Sequence, residues 1–309
     1  MRRVIVDVDV GSDDYLAILI LLYAEKLNKV RVEAITCTSG NTNIHNVIKN
    51  TVRLLELIGR TDIPIFEGAY EPLMKCFENL NNFHGKDGFG DLLHDDDPDL
   101  SIVRKEHAAV AIASLVEQNY GEISLVCLGP LTNIALAIKM NKHFSESVKD
   151  IWLMGGNHLD NVKDLLDEQV EFNFAHDPEA ADIVLKSMKN SIFILPWETT
   201  ERLGISLDWR YNILGDKTPV LKLLTEAERR IWENSNYWQP CDAFLAFAYI
   251  HPDKYILKSS NLCAKIILEE TKYKGFLSLE KNGTKNVMIL EDIDKEMFKK
   301  YLLELALNS

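Results

Sequence analysis

The chain has 309 residues, 47% hydrophobic and 26% charged, a composition typical of a globular protein that buries a sizeable core. Its formal net charge of −13, from 47 acidic and 34 basic residues, argues against a nucleic-acid partner, because phosphate binding needs basic patches that this sequence lacks. The apolar run Tyr15–Tyr23 is too short to span a bilayer, so no membrane partner is expected.

The five cysteines are widely spaced and include no C-x-x-C pair, so neither a disulfide framework nor a structural zinc site is expected. The N-terminus differs from a signal peptide, because its two arginines precede a short apolar segment that Asp7 and Asp9 interrupt. We expect a cytoplasmic protein with one domain, residues 1–309.

The first two thirds of the chain alternate predicted strands with predicted helices. Val4–Val8 is rich in β-branched residues and predicts a strand, after which Asp13 or Asp14 can cap a helix over Tyr15–Lys26. The strands that follow are Val32–Thr36, Ile63–Phe66, Ser124–Leu128, Ile151–Met154 and Ile192–Leu195, and the helices are Ile44–Ile58, Lys105–Gln118, Thr132–Lys139 and Pro178–Ser187. This alternation predicts a Rossmann-like α/β fold with a mostly parallel central sheet flanked by helices, in which ligands bind beyond the carboxyl ends of the strands.

The regular alternation of predicted strands and helices ends after Pro196. The later predicted elements are helices over Pro219–Asn234, Asp242–Ile250 and from Asp294, and strands over Cys263–Leu268, Phe276–Leu279 and Val287–Leu290. One long loop-like stretch, Glu67–Asp99, contains Gly85, Gly88 and Gly90 and is a candidate lid over an active site.

Four carboxylates lie within eight residues where the first strand passes into the first helix: Asp7, Asp9, Asp13 and Asp14. Asp7 and Asp9 share one face of the strand, because side chains in a strand alternate. Unpaired charge in a buried sheet is costly, and Ca²⁺, which accepts several carboxylate and carbonyl oxygens, would relieve that cost. A helix cap accounts for one aspartate and not for four.

From this cluster onward the chain resembles the inosine-uridine nucleoside hydrolase family, whose first strand ends in D-x-D-x-G-x-D-D. Further matches follow in order: Thr38–Asn41 (second strand end in G-N), His84–Gly90 (H-G-x-x-G-x-G), Leu128–Asn133 (L-G-P-L-T-N), Met154–Gly156 (M-G-G), Glu171–Asn173 with Asp177–Ala181 (E-F-N…D-P-E-A-A) and Asp242–Ala243. Each motif is weak alone, whereas their order and spacing together are highly specific. The resemblance implies an enzyme of the nucleoside hydrolase fold that cuts the N-glycosidic bond of a ribonucleoside with water.

The resemblance also implies one Ca²⁺ held by Asp9, Asp14, the backbone carbonyl of Thr132 and Asp242, all of them oxygen donors. Asp9 would be the general base toward a Ca²⁺-bound water that attacks the anomeric carbon, as in inverting glycosidases. Family members are usually dimers or tetramers, so a homodimer or homotetramer is expected.

The implied substrate-binding residues surround the sugar. Asp13, Asn41 and Asn173 would hold the 2′- and 3′-hydroxyls, Glu171 the 5′-hydroxyl, and Met154 belongs to the same set. Sites that recognise hydroxyls reject analogues without them, so ribose is expected over 2′-deoxyribose. From the residues alone, Asn41 could end a strand in a turn and Glu171 could be a surface residue.

Several positions depart from the family pattern. Cys241 stands where many members have a histidine before the late aspartate, and its thiol could donate a proton to the leaving base or simply pack. His84 is an alternative acid, or a plain loop residue. Val10 stands where the family has a proline. Leu165 stands where many members have an asparagine that contacts the 5′-hydroxyl. Asn161 could take over that contact only if the loop is rearranged.

Four aromatic residues are candidates either for stacking on the base or for the core: Phe83, Phe89, Tyr237 and Trp238. The run Asp95–Asp99 is expected to be a solvated acidic loop. Two other functions remain open. A haloacid-dehalogenase-like phosphatase would use Asp7 and Asp9 but has no place for the Asp13–Asp14 pair, and a nucleoside-binding protein without turnover would keep the site but not the reaction.

Overall fold

The computed structural model describes residues 1–74, 82–92, 97–158 and 170–308. Its strands are β1 (Arg2–Val8), β2 (Val30–Cys37), β3 (Ile65–Glu67), β4 (Val103–Arg104), β5 (Ile123–Cys127), β6 (Ile151–Met154), β7 (Ile192–Leu195), β8 (Ile205–Ser206), β9 (Tyr237–Trp238), β10 (Ile256–Ile266), β11 (Leu277–Glu280) and β12 (Val287–Ile293). Its helices are α1 (Ser12–Lys26), α2 (Ile44–Leu57), α3 (Ala108–Gln118), α4 (Thr132–Met140), α5 (Phe144–Ser147), α6 (Phe172–His176), α7 (Pro178–Ser187), α8 (Trp197–Leu203), α9 (Pro219–Ile231), α10 (Cys241–Ile250), α11 (Pro252–Tyr255) and α12 (Lys295–Asn308).

The described residues form one ten-stranded sheet in the order β11-β10-β12-β7-β6-β5-β1-β2-β3-β4, and β8 pairs separately with β9. Neighbours from β12 to β4 are parallel, and only β10 runs antiparallel to its partners β11 and β12 among these strands. The predicted α/β fold with a mostly parallel sheet is therefore confirmed.

Strand β1 lies between β5 and β2, so three chain segments meet at its carboxyl end. In the register, Asp7 pairs with Thr36 of β2 and with Cys127 of β5. The residues that follow these strands therefore emerge side by side at one edge of the sheet, as parallel strands require. That edge carries the acidic cluster, the Thr38–Asn41 segment and the Leu128–Asn133 segment.

Helices cover both faces of the sheet. On one face, α1 packs against α10 and α9, and on the other, α3 packs against α4, which also contacts α7. Helix α1 is buried on nearly every side, which explains why its sequence is apolar all round rather than amphipathic. Within the described residues, no helix combines the length and apolarity that crossing a membrane requires.

The start of α1 differs from the prediction. Gly11, and neither Asp13 nor Asp14, is the N-cap residue. Asp14 is the third residue of the helix, where its carboxylate reaches back and accepts the Gly11 N–H at 2.8 Å, as in a capping box. The second oxygen of Asp14 accepts the Asp9 N–H at 3.3 Å, so this side chain shapes the turn between strand and helix.

Candidate active site

One cleft at the carboxyl edge of the sheet gathers nearly all the predicted site residues. Its volume is about 1870 Å³, larger than the ~300–1,000 Å³ of typical small-molecule pockets. The predicted residues that line it are Asp9, Asp13, Asn41, His84, Met154, Glu171, Asn173, Cys241 and Asp242. Asp14 and Thr132 do not line it and are buried, at 0% and 2% exposed. Residues far apart in the chain thus converge as the motifs predicted.

A carboxylate cluster forms the floor of this cleft. The carboxylate oxygens of Asp13, Asp14 and Asp242 lie within 4.8 Å of one another. The sequence predicted Asp9 in this set and Asp13 at the sugar, whereas the structure groups Asp13 with the other two. Asp9 lies beside them and turns Oδ2 toward the Asn41 N–H, at 2.8 Å.

Burial and mutual repulsion raise the pKa values of the carboxylates in this cluster. Burial raises the pKa of Asp9, and the charge of Asp14 raises it further. Burial and then Asp13 raise the pKa of Asp14 to about 7, and burial followed by Asp13, Asp14 and Asp9 raises the pKa of Asp242. Buried carboxylates that repel one another favour either protonation or a bound cation. Because the donors are all oxygens, they fit a hard divalent ion.

Two glycines allow the backbone to approach Asp9 closely. A Cβ at Gly40 would lie 2.1 Å from Asp9 Oδ2, and one at Gly129 would lie 2.8 Å from Oδ1. Both glycines belong to segments that follow the neighbouring strands β2 and β5. The G-N and L-G-P-L-T-N motifs therefore have a shared physical reason, which is to enclose this carboxylate.

The E-F-N segment closes the other side of the cleft. Glu171 is 6% exposed, so the surface alternative is wrong. Its carboxylate caps α6 by accepting the N–H groups of Asn173 (2.8 Å) and Phe174 (3.1 Å), and it also accepts the Gly156 N–H (2.6 Å). The amide of Asn173 donates to the carbonyls at the ends of two strands, Leu128 (2.7 Å) and Met154 (3.1 Å).

His84 lies over the start of α1. Its Nδ1 accepts the Ser12 N–H at 3.2 Å, so a neutral ring carries its proton on Nε2, which faces Asp13 Oδ1 at 3.6 Å. Burial lowers the pKa of His84, although the charge of Asp13 opposes this. His84 is therefore a neutral hydrogen-bond donor beside Asp13.

The glycine-rich loop around His84 is tied down at several points. Thr42 donates to the Lys86 carbonyl at 2.8 Å, and Asn50 of α2 donates to the Asp87 carbonyl at 2.9 Å. Arg230 of α9 donates to the carbonyls of Gly90 and Asp91, at 3.0 and 2.6 Å. These bonds hold residues 86–91 in place, which disfavours a swinging lid for this part of the Glu67–Asp99 stretch.

Cys241 begins α10 and takes part in a hydrogen-bond chain that the sequence did not indicate. Its thiol donates to Thr200 Oγ1 at 3.4 Å, and Thr200 donates to the Trp197 carbonyl at 2.8 Å. Gln239 donates to the same Thr200 oxygen at 2.9 Å. Burial raises the pKa of Cys241, so the group remains a thiol. Neither Thr200 nor Gln239 lies in a recognised motif, and only their position in space reveals them.

Asp7 lies behind the cleft. It is 1% exposed and accepts hydrogen bonds from Thr36 Oγ1 and from Asn133 Nδ2 (2.9 Å). Burial raises the pKa of Asp7 to about 7. Asn133 also donates to the Cys37 carbonyl at 2.9 Å, so it joins β1 to β2 beneath the site.

The four candidate aromatic residues have three different environments. Phe83 lines the cleft and packs edge-on against Trp232, with ring centroids 5.2 Å apart. Phe89 packs against Tyr15 in the core, and Trp238 is fully buried. Tyr237 is exposed and is not among the residues that line the cleft.

Some predicted features lie outside the described residues. These are Asn161, Leu165, Asp95 and Asp96. Of the acidic run, Asp97 pairs with Lys49 at 2.8 Å and Asp99 caps a short 3-10 turn at Leu100–Ile102, which agrees with a solvated loop.

Comparisons with known proteins found similar sequences and similar structures. Residues 4–300 match the family model described as inosine-uridine preferring nucleoside hydrolase. "Uridine nucleosidase 1" of Arabidopsis thaliana is 36% identical over 73% of this chain and 65% of that protein. "Pyrimidine-specific ribonucleoside hydrolase RihA" of Photobacterium profundum is 35% identical over 60% of this chain and 57% of that protein. The match therefore spans less than two thirds of these relatives' length.

Solved structures match over almost the whole chain. The structure titled "Inosine-Guanosine Nucleoside Hydrolase (IG-NH)" is 26% identical, with a TM-score of 0.89 over 99% of both chains. A "Purine-Preferring Ribonucleoside Hydrolase from Gardnerella vaginalis" has a TM-score of 0.85 over 100% of both chains but is 21% identical, so it supports the fold alone.

Proposed function

Because the chain belongs to the inosine-uridine preferring nucleoside hydrolase family, we propose that it cleaves the N-glycosidic bond of ribonucleosides with water, yielding ribose and free base. The observation that carries this proposal is the convergence of Asp13, Asp14 and Asp242 beside Asp9 on the cleft floor. Family membership leaves the phosphatase alternative without support.

We further propose that the cation is Ca²⁺, held by Asp9, Asp14, the Thr132 carbonyl and Asp242. The support is a buried set of oxygen donors whose mutual repulsion a divalent ion relieves. When bound, such an ion acidifies water in contact with it and offers positions for sugar hydroxyls. Asp13, which shares the cluster, would meet the sugar at its edge.

Asp9 would act as the general base. It is buried between Gly40 and Gly129, and the Asn41 N–H orients one carboxylate oxygen. The Asp9 carboxylate would accept the proton of the attacking water as the water adds to C1′ from the face opposite the leaving base, in one displacement.

The sugar would be held by the residues that line the cleft around Asp9. Asp13, Asn41 and Asn173 would bind the 2′- and 3′-hydroxyls, Glu171 the 5′-hydroxyl, and Met154 would pack against the sugar. Glu171 and Asn173 are buried, and Asp13 and Asn41 are partly buried. A substrate that lacks a hydroxyl would leave such groups unpaired, so ribose would be preferred to 2′-deoxyribose.

The leaving base needs a proton or a hydrogen-bond donor. Two side chains in the cleft carry a suitable hydrogen: the Nε2–H of His84 and the thiol of Cys241, which would turn from Thr200 toward the base. Both are neutral, so they would act by donating hydrogen bonds to the departing base, with water as the final proton source.

The test measures free ribose from a panel of purine and pyrimidine ribonucleosides, with and without a chelator. We expect turnover of at least one nucleoside, its loss on chelation and its recovery with Ca²⁺. Asp9→Asn should reduce kcat by roughly 10²–10⁴-fold, whereas the exposed Asp253→Asn should not. Full activity after chelation would contradict the metal mechanism, and ribonucleoside binding without ribose release would support the binding protein instead.

We also propose a cytoplasmic homodimer or homotetramer. Cys37, Cys127, Cys241 and Cys263 are all free and buried, which supports a reducing compartment. The oligomeric state rests on the family resemblance, and light scattering coupled to size exclusion tests it: a monomer would contradict it.

A further inference from the structure

Asp177 opens the D-P-E-A-A motif and resembles an ordinary helix cap. It is the N-cap residue of α7, Pro178 is the first helical residue, and Asp177 Oδ1 accepts the Ala180 N–H at 3.0 Å. A cap of this kind needs only one side-chain oxygen. The capping role therefore leaves Asp177 Oδ2 unexplained.

Asp177 Oδ2 joins two distant parts of the chain. It accepts the Thr132 hydroxyl at 2.7 Å and the Leu73 N–H at 2.9 Å, residues that are 45 and 104 positions away. Asp177 and Thr132 are 0% and 2% exposed, so water does not compete for these bonds. Two such contacts on a buried carboxylate indicate a role beyond the helix that it caps.

Through Thr132, Asp177 is bonded to the Leu128–Asn133 segment, which lies against Asp9. Thr132 follows the turn that contains Gly129, and Gly129 lies against Asp9. On the far side of the Thr132 peptide, Asn133 is held by three bonds of 2.9 Å, which it donates to Asp7 and the Cys37 carbonyl and accepts from the Ala69 N–H. The backbone at Thr132 is thus clamped on one side by Asn133 and on the other by Asp177.

We propose that Asp177 is a positioning residue for the divalent-cation site, acting through the Thr132 hydroxyl to hold the Thr132 carbonyl. This inference rests on the proposed function, because it takes that carbonyl as a ligand. Hydrogen-bond partners that orient ligands commonly change metal affinity by roughly 10–100-fold when removed.

The experiment is a calorimetric titration of Ca²⁺ into chelator-stripped full-length protein. Thr132→Val removes the hydroxyl but keeps the shape and the backbone carbonyl, and it should weaken Ca²⁺ binding by roughly 10–100-fold. Asp177→Asn, which can still cap α7, should weaken it at least as much. Thr132→Ser restores the hydroxyl and should bind close to the wild type.

A matched control separates positioning from lost stability. His107→Ala removes the cap of α3, where His107 accepts the Ala109 N–H at 3.2 Å. His107 is not among the residues that line the cleft, so this change should leave Ca²⁺ affinity unchanged. If Asp177 acts through Thr132, the double variant Asp177→Asn/Thr132→Val should bind no more weakly than Asp177→Asn alone.

The outcomes distinguish this inference from the proposed function. Wild-type affinity in Thr132→Val would overturn the role of Asp177 while leaving the Ca²⁺ site intact, even if Asp177→Asn fails to fold. Additive losses in the double variant would also overturn it. A wild type that binds no Ca²⁺ would refute the proposed metal mechanism and this inference together.

Discussion

Without a divalent cation, the protein should lose stability as the pH rises, and Asp14 allows the size of the loss to be calculated. Burial and the neighbouring Asp13 raise the pKa of Asp14 from 3.8 to about 7 in the folded protein. Between these values the folded state binds the proton more tightly than the unfolded state. The contribution of Asp14 to stability is therefore fully present below pH 3.8 and is lost as the pH rises through 7.

The magnitude follows from the shift. About three pKa units correspond to about 4 kcal/mol over the whole window, of which roughly 2–3 kcal/mol falls between pH 5 and 7.5. A chain of 309 residues has an unfolding entropy of about 0.65 kcal/mol/K, so this loss corresponds to about 4 °C in Tm. Asp9 and Asp242, whose pKa values are also raised, act in the same direction.

The assay is scanning calorimetry of chelator-treated wild type and Asp14→Asn at pH 5 and 7.5. Groups such as His176, with the opposite pH dependence, are present in both proteins and cancel in the difference. We expect the Tm of the wild type, relative to the variant, to fall by about 4 °C between the two pH values. Saturating Ca²⁺ should recover this loss at pH 7.5 in the wild type.

If the Tm difference between the wild type and Asp14→Asn were the same at both pH values, the reasoning would be refuted. Such a result would mean that the surroundings of Asp14 do not raise its pKa. The exposed Asp253→Asn should follow the wild type at both pH values and serves as the control. Stabilisation by Ca²⁺ that is equal in Asp14→Asn and in the wild type would contradict the assignment of Asp14 to the cation site.

Three further predictions concern other buried groups. Burial lowers the pKa of His176 from 6.5 to about 4, so its contribution of about 3 kcal/mol to stability is present above pH 6.5 and is lost as the pH falls to 4. In urea unfolding, His176→Gln should reduce the fall in unfolding free energy between these pH values. An unchanged fall would contradict the burial argument. Cys241 should resist alkylation by iodoacetamide at pH 7.5 in the folded protein, since burial raises its pKa; rapid mass labelling at Cys241 would refute this. Arg210 Nε lies 2.6 Å from Glu228 Oε2 in a buried ion pair. Glu228→Gln breaks this pair and should destabilise the protein by roughly 3–5 kcal/mol in urea unfolding. A loss under 1 kcal/mol would contradict the cost assigned to the unpaired Arg210 charge.

The strands and helices of the first two thirds were predictable because their patterns are strong and local. Ile151–Met154, Pro178–Ser187 and Ile192–Leu195 match the structure at both ends. β10 begins at Ile256 rather than Cys263, because its first residues form a polar, largely exposed strand without an apolar pattern. The helix predicted from Lys105 begins at Ala108, where the His107 side chain caps it.

Short elements were missed for a different reason. β4, β8 and β9 each have two residues, and α6 has five, too few to show a period. Such elements form only where a neighbour supplies hydrogen bonds. α6, for example, follows its N-cap residue Glu171, whose carboxylate also accepts the Gly156 N–H.

The sequence by itself determined the chemical inventory of the site: the aspartates around the first strand, the glycines that follow neighbouring strands, and a family pattern that names a fold and a reaction class. Only the tertiary structure decided which of these groups meet. The order of β5, β1 and β2 sets Gly129 and Gly40 against Asp9, Asp13 joins Asp14 and Asp242, and Asp177 reaches Thr132. Contacts between residues so far apart depend on strand order and helix packing, which local periodicity does not encode.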